Sequence, residues 1–182
     1  KFIVSSAALY SHLQAVSRVI NSKNALPILD CFLFQLQQGI LSVTVSDSET
    51  TMQTSIPVIE SVTEGKIAIT AKTLLDALKE IPEQPLTFSV DSATLEVTVT
   101  YQNGQYSLMG QNGDEYPQAT ALSAEAVKFT MPVDALLTGI NRTVYATADD
   151  ELRPVMNGIY FDITQEDITM VASDGHKLVR CQ

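Results

Sequence analysis

The stretch Lys1-Phe2-Ile3-Val4-Ser5-Ser6-Ala7-Ala8-Leu9 recurs 127 positions later as Lys128-Phe129-Thr130-Met131-Pro132-Val133-Asp134-Ala135-Leu136. Carried onward, the same offset lays residues 1–55 on residues 128–182 without a gap. Pro27 meets Pro154, Phe34 meets Phe161, Gln38 meets Gln165 and Ser46-Asp47 meets Ser173-Asp174, which brings the identities to nine in 55 positions. Apolar positions agree better than identities do: Ile28-Leu29 falls on Val155-Met156, Leu13 on Ile140 and Leu41 on Ile168. A gapless match running through a helix, a loop and two strands marks an internal duplication.

The local patterns predict what is duplicated. Phe2–Val4 reads as a short strand, with Ser5 and Ser6 as candidate N-caps. Leu9, Leu13, Val16 and Ile20 then form one apolar stripe at helical spacing. Ile28–Leu36 reads as a strand, Gln37-Gln38-Gly39 as a turn, Ile40–Ser46 as an alternating strand and Thr50–Val58 as a third. The order recurs within the first copy. Lys66–Thr70 is a strand and Ala71–Ile81 a helix with Leu74, Leu75, Leu78 and Ile81 on one face. Strands then follow at Leu86–Val90, Leu95–Tyr101 and Tyr106–Met109, with turns at Asp91-Ser92 and Asn103-Gly104. The expected class is α+β, built from duplicated β-α-β-β-β units. A first domain is expected over residues 1–118 and a second from 128 to 182, with 119–127 as the linker core of a linker-like stretch at 111–127. A helix at about Val133–Thr147 opens the second copy, which holds only the first β-α-β-β-β unit, so a longer polypeptide is expected.

Hydrophobic residues make up 45% of the 182, and charged residues 18%, enough to form a packed core. No apolar run approaches the ~18 residues of a membrane span, and Lys1–Ser5 has no signal-peptide pattern. Two cysteines, Cys31 and Cys181, are too few for a disulfide framework, so the expected compartment is the reducing cytoplasm. Eleven Lys and Arg against 21 Asp and Glu give a net charge of −10, an argument against nucleic-acid binding unless position rescues it.

The segment Val171-Ala172-Ser173-Asp174-Gly175-His176-Lys177-Leu178, with Leu26-Pro27-Ile28-Leu29, Asn157-Gly158 and the repeat period, resembles the bacterial DNA sliding clamp family, the beta subunit of DNA polymerase III. The likeness runs over essentially the whole chain, with Ser173 and Lys177 where the family usually has Thr and Arg. It implies a sliding-clamp fold with helices lining the inside and antiparallel sheets outside, and a third domain beyond the two seen here. It also implies a homodimer ring around duplex DNA that acts as a processivity factor in DNA replication. The partners implied are the replicative DNA polymerase, the clamp loader and repair polymerases, docking through a short peptide motif. Such a chain is a non-catalytic subunit of a DNA-directed DNA polymerase, a nucleotidyltransferase among the transferases, and needs no cofactor.

Position does alter the meaning of the charge. Residues 1–29 hold no Asp or Glu, yet carry Lys1, Arg18 and Lys23. Ser11, Gln14, Arg18 and Asn21 lie opposite the apolar stripe, and their counterparts include Thr138, Asn141 and Tyr145, with Arg142 beside them. The resemblance assigns Lys23, Arg18, Lys72 and Arg142 to the DNA-facing side, with Lys79 and Arg153 as candidates to add to the same surface, where a faintly basic face suits a duplex held by topology. It also assigns Met156, Ser173, Gly175, His176, Lys177 and Leu178 to a hydrophobic peptide pocket, only part of which lies within these residues. As chemistry this is sensible: Met is an adaptable apolar wall and Gly admits a peptide backbone.

Other readings of these residues are weaker. Asp174 and His176 lack a nucleophile or second carboxylate, so no catalytic residue is assigned. His12 and His176 lack partners at ligand spacing, so no metal is expected. Cys31 reads as a buried inert thiol, and Asn141-Arg142-Thr143 as a chance glycosylation sequon on a helix. The rival function is an acidic peptide-binding scaffold that does not encircle DNA.

Overall fold

A Ser5 side chain starts the first helix: its hydroxyl accepts the Ala8 N–H at 3.3 Å, and the chain leaves strand β1 (Phe2–Ser5) for helix α1 (Ser6–Val16). In this computed structural model all residues are described except 21–23, 25, 48, 119–122, 124 and 127. Leu9, Leu13 and Val16 are buried on α1 as their spacing requires. The helix stops at Val16, however, and a 3-10 turn over Ser17–Val19 carries Ile20 only to the margin of the core. The next departure from the sequence reading is at Ile28–Leu36. Pro27 opens a 3-10 turn (Pro27–Asp30) that buries Ile28 and Leu29, and strand β2 begins only at Cys31 and runs to Gln37.

From β2 the chain folds as expected. Gln38 and Gly39 both take positive φ, 49° and 77°, in a two-residue turn whose twist suits a tight hairpin. It joins β2 to β3 (Ile40–Ser46), which pairs with β4 (Thr51–Pro57). A two-residue strand β5 (Glu60–Ser61) precedes the second half-unit: β6 (Gly65–Thr70), α2 (Ala71–Lys79), β7 (Pro85–Val90), β8 (Glu96–Tyr101) and β9 (Gly104–Asn112). All pairings are antiparallel, and the sheet runs β4-β3-β2-β6-β9-β8-β7-β1-β5.

That order shows how the two halves are joined. β1, the first strand of one half, pairs with β7 of the other; β6, the first strand of the second half, pairs with β2 of the first. The registers correspond: Phe2 faces Phe88 as Ile67 faces Phe34, and Val4 faces Leu86 as Ile69 faces Phe32. Phe2 stacks on Phe88 with ring centroids 5.0 Å apart, and Phe34 approaches the same ring at 6.1 Å. Helices α1 and α2 pack side by side.

The stretch after Met109 differs from the linker expected at 111–127. β9 continues to Asn112, a 3-10 turn follows (Gly113–Glu115), and Tyr116 is buried against Ile28, Leu29, Cys31 and Ala68. Its hydroxyl accepts the Ser46 N–H at 3.0 Å and donates to the Cys31 carbonyl at 3.4 Å. A side chain at Gly113 would collide with the Lys66–Ile67 backbone, so this residue lets the segment lie flat on β6. Polar composition hid an apolar anchor.

Two units emerge, Lys1–Ala121 and Leu122–Gln182. The second holds α3 (Val133–Thr143), a 3-10 turn (Val144–Ala146), another (Pro154–Asn157), and a sheet of β10 (Tyr160–Ile163), β11 (Ile168–Ser173) and β12 (Leu178–Cys181). The 127 offset maps Ser6–Val16 onto Val133–Thr143, Ser17–Val19 onto Val144–Ala146 and Pro27–Asp30 onto Pro154–Asn157 residue for residue. The duplication is therefore structural, and the helix expected over Val133–Thr147 tightens after Thr143 just as α1 tightens after Val16. Thr143 is buried, its hydroxyl donating to the Gly139 carbonyl at 2.8 Å, which leaves the apparent sequon without an accessible Thr.

Tyr116→Ala should destabilise the first unit by about 3–5 kcal/mol, and Tyr116→Phe by about 1 kcal/mol, through lost packing and lost hydrogen bonds respectively. Urea unfolding followed on the amide signals of residues 31–46 checks both values; a Tyr116→Ala effect below about 1 kcal/mol would leave the segment a mere linker.

Candidate functional site

The exposed sides of the helices come first. Of the 21 acidic residues, only Asp76 and Asp134 lie within the three α-helices, and α1 has none. Lys72 and Lys79 are exposed on α2, Arg142 is exposed in the last turn of α3, and Arg18 is exposed on the turn that ends α1. Ser11, Gln14, Thr138 and Asn141 are exposed on α1 and α3. The helices of the first unit thus present polar side chains with a slight positive balance, and α3 of the second unit presents one basic and one acidic residue, consistent with diffuse attraction and with little else. Lys23 lies outside the described residues.

Arg153 sits elsewhere. Its Nε donates to Asp150 Oδ2 at 2.8 Å, and a Cβ built on Gly175 would meet its guanidinium at 3.0 Å. The structure thus sets Arg153 against the Asp174 turn, with part of its charge answered by a carboxylate. Sequence spacing carried no sign of this; only the fold brings residues 150–153 to residue 175.

The Asp174 turn is built by side-chain acceptors. Asp174 Oδ1 accepts the N–H groups of His176 and Lys177, both at 2.9 Å, while Lys177 Nζ lies 3.0 Å from Oδ2. Ser173 Oγ accepts the Gly175 N–H at 3.1 Å and donates to the Lys177 carbonyl at 2.9 Å. Gly175 takes φ +89°, a conformation that favours glycine. The turn therefore gathers Ser173, Gly175, His176 and Lys177, and hands the chain to Leu178, which is 68% exposed at the start of β12. The first copy repeats the device: Asp47 Oδ1 accepts from Glu49 and Thr50, the counterparts of His176 and Lys177. Asp174 is thus a turn-former, and the Ser-Asp pair shared by both copies was its signal in the sequence.

Met156 lies on the 3-10 turn three residues after Arg153, half-buried, with its N–H on the Arg153 carbonyl and its carbonyl taking the Ala148 N–H at 2.8 Å. Its neighbour Val155 is 86% exposed, and Leu152 is also exposed. Val155 and Leu152 thus hold apolar side chains open to solvent on the segment whose Arg153 reaches Gly175. A cavity of about 500 Å³ in the same unit lies against other residues, among them Met131, Asp134, Arg142, Met170 and Cys181. Among the described residues no group of His, Cys, Asp or Glu is arranged to hold a metal ion, and no helix is long and apolar enough to cross a membrane. Cys31 is buried, and desolvation raises its thiol pKa.

The backbone N–H groups of Lys177 and His176, then the Lys177 ammonium, hold the Asp174 carboxyl well below the usual carboxylate range. A depressed folded pKa means the turn is intact above the ordinary value of about 3.8 and loosens only as pH falls through the lower folded value. A carboxyl-detected NMR titration should put the Asp174 midpoint well below the ordinary carboxylate value, and Lys177→Ala should restore only part of that shift. An ordinary midpoint would deny the turn its anchor.

The family model for the N-terminal domain of the DNA polymerase III beta subunit matches residues 1–120, and that for its central domain matches 130–182. The Beta sliding clamp of Halalkalibacterium halodurans is 29% identical over 97% of this chain and 48% of its own length. That of Escherichia coli is 28% identical, over 100% and 49%. Among solved structures, the DNA polymerase III subunit beta of Pseudomonas aeruginosa superposes with a TM-score of 0.91 at 24% identity, over 99% of this chain and 48% of that one. The beta subunit from Streptococcus pyogenes DNA polymerase gives 0.90 at 23%. The fold is that of the sliding clamps, and the chain spans about half the length of the curated relatives it matches. With the repeat, the helix surface and both family matches in agreement, the chain belongs to the DNA polymerase III beta subunit family.

Proposed function

We propose that this chain contributes the N-terminal domain and part of the central domain of a DNA sliding clamp, the processivity factor that keeps a replicative polymerase on duplex DNA. The observation that carries this is the coincidence of the 127-residue structural repeat with helices nearly free of acidic residues. In a ring of such repeats the helices face the duplex and the sheets, with their turns, carry most of the negative charge. Arg18, Lys72 and Arg142, with Lys23, supply a weak, sequence-independent attraction; Arg153 contributes mainly beside the Asp174 turn. Few strong phosphate contacts mean little counterion release, so the ring holds DNA by topology and slides. Tethering then raises the polymerase's effective concentration at the primer end.

The surface around Met156, Val155 and Leu178, rimmed by His176 and Lys177, is the part of the peptide-docking site that these residues supply. The positive φ at Gly175 and the Asp174 anchor, which holds the His176 and Lys177 N–H groups inside the turn, fix that rim so that its side chains meet an incoming peptide in one arrangement. The chain acts as an accessory subunit in the cytoplasm, and nucleotidyl transfer belongs to the polymerase it serves. An acidic scaffold that only binds peptides accounts for the docking surface but not for the acid-poor helices.

Three measurements test this. The chain's binding to a short linear duplex should be weak, with a log–log salt slope no steeper than about −3, and charge reversal at Arg18 or Lys72 should weaken it at low salt. A full-length clamp carrying these residues should stay on nicked circular DNA and leave once the circle is linearised; equal retention on both forms defeats topological binding. In that clamp Met156→Ala and Leu178→Ala should each weaken polymerase-peptide binding about tenfold or more. Unchanged affinity would remove those residues from the site.

A further inference from the structure

The first unit holds a cleft of about 420 Å³, within the ~300–1,000 Å³ typical of small-molecule sites. All its lining residues lie in that unit, and both β-α-β-β-β halves contribute. It is set at the first residues of β1 and β6, the ends opposite those that lead into α1 and α2. Phe2, Phe34, Leu36 and Leu41 from one half and Ile67 from the other are buried core. Val90 and Leu95 are half-buried, and Lys1, Glu64 and Lys66 are exposed. The lining therefore grades from apolar to charged. Its apolar side gives water few hydrogen-bond partners, and cavities of that kind favour apolar guests. Leu95 adds a second observation. It takes φ +61°, a left-handed conformation that leucine rarely adopts. The turn holds it there: Asp91 Oδ1 accepts the Ala93 N–H at 2.8 Å, the Leu95 N–H donates to the Asp91 carbonyl at 2.8 Å, and the Leu95 carbonyl accepts the Gly110 N–H at 2.9 Å. Backbone strain is thus retained at a position whose apolar side chain lines the cleft.

We propose that this cleft binds a medium-chain monocarboxylate of the octanoate or decanoate kind, its alkyl chain against the apolar lining and its carboxylate at Lys66. Charge selects the head group. Lys1 and Lys66 are the cations of the lining and Glu64 its one acid among the described residues, with Glu64 Oε1 already accepting the Gln38 N–H at 3.0 Å. Lys66 reaches Asp114 at 3.4 Å, but that carboxylate is 76% exposed, and an ammonium with three donors can serve a second acceptor. A cationic head would meet two like charges, and a neutral one would forgo the pairing. Because both halves line the cleft, the bound chain bridges them and stabilises the first unit by mass action. The site is separate from the helix surface and from the Asp174 turn, so it stands or falls independently of the ring.

Methyl NMR of the 182-residue chain, titrated with decanoate below its micelle concentration, tests this. The signals of Leu36, Leu41, Ile67, Val90 and Leu95 should shift saturably, while those of Val171 and Val179 in the second unit stay in place. No saturable shift, or shifts spread over both units, overturns the cleft as a site. Lys66→Glu changes an exposed side chain, so the fold should survive it, and it should weaken decanoate binding about threefold or more. Decyltrimethylammonium, of the same chain length and opposite charge, should bind the parent chain more weakly than decanoate does. Equal binding of the two amphiphiles, or a Lys66→Glu chain that holds decanoate as well as the parent, removes the carboxylate pairing and overturns the proposal. Leu95→Asn suits the left-handed backbone and deletes the apolar wall, so it should weaken decanoate about fivefold with the circular dichroism of the chain retained. A folded Leu95→Asn chain with unchanged affinity also counts against the site.

Discussion

Everything in the first unit depends on one constraint: neither β-α-β-β-β half can close its own sheet. β1 is hydrogen-bonded to β7 and β6 to β2, so each half's first strand is an internal strand of the other. The helix that follows each exchanged strand is thereby set over the junction, which is why α1 and α2 lie together. The Phe2–Phe88–Phe34 cluster sits where the exchanged strand meets its host, so the largest apolar contacts are spent on the joint. A protein made this way presents paired helices on one side of continuous antiparallel sheet and leaves their outer faces free of structural duty.

The turns tell the same story at smaller scale. Asp47 and Asp174 anchor the same turn in both copies by accepting two successive N–H groups, but what each turn carries differs. The first copy places Glu49 and Thr50 there, on a unit whose Ile28 and Leu29 are covered by Tyr116. The second places His176 and Lys177 there, and its counterpart of Ile28, Val155, is exposed. Under the proposed function, that turn and Val155 belong to the docking surface.

Sequence reasoning reached the fold because duplication leaves a periodic record. A gapless offset and apolar alternation survive drift that erases identities, since they are enforced by burial at every turn of helix and strand. It misplaced what depends on partners distant in the chain. Pro27–Asp30 became a turn rather than strand because Ile28 and Leu29 pack under Tyr116, and Tyr116 was itself hidden in a polar run. At the site, the Ser173–Leu178 segment was legible because one local turn organises it. Arg153 was not: its place beside Gly175 follows from the path of residues 150–157, fixed by Asn157 bonding the Asp150 backbone.

Under the proposed function, the net charge of −10 is compatible with a place around DNA. Total charge governs the far field, while a duplex confined near the helices responds to what lies within about a Debye length, ~8 Å at physiological salt. The first unit's helices and the turn that ends α1 carry Lys72, Lys79 and Arg18 against Asp76, and α3 of the second unit carries Arg142 against Asp134. Acidic turns such as those at Asp47, Asp91 and Asp114 lie at strand ends. A strongly basic helix face would exchange mobility for grip, because every neutralised phosphate adds to the affinity that must be broken at each step. A strongly acidic one would expel the duplex. A near-neutral, slightly positive lining is the narrow condition under which topology can do the holding and thermal motion the sliding, and an acidic sheet side costs that arrangement nothing.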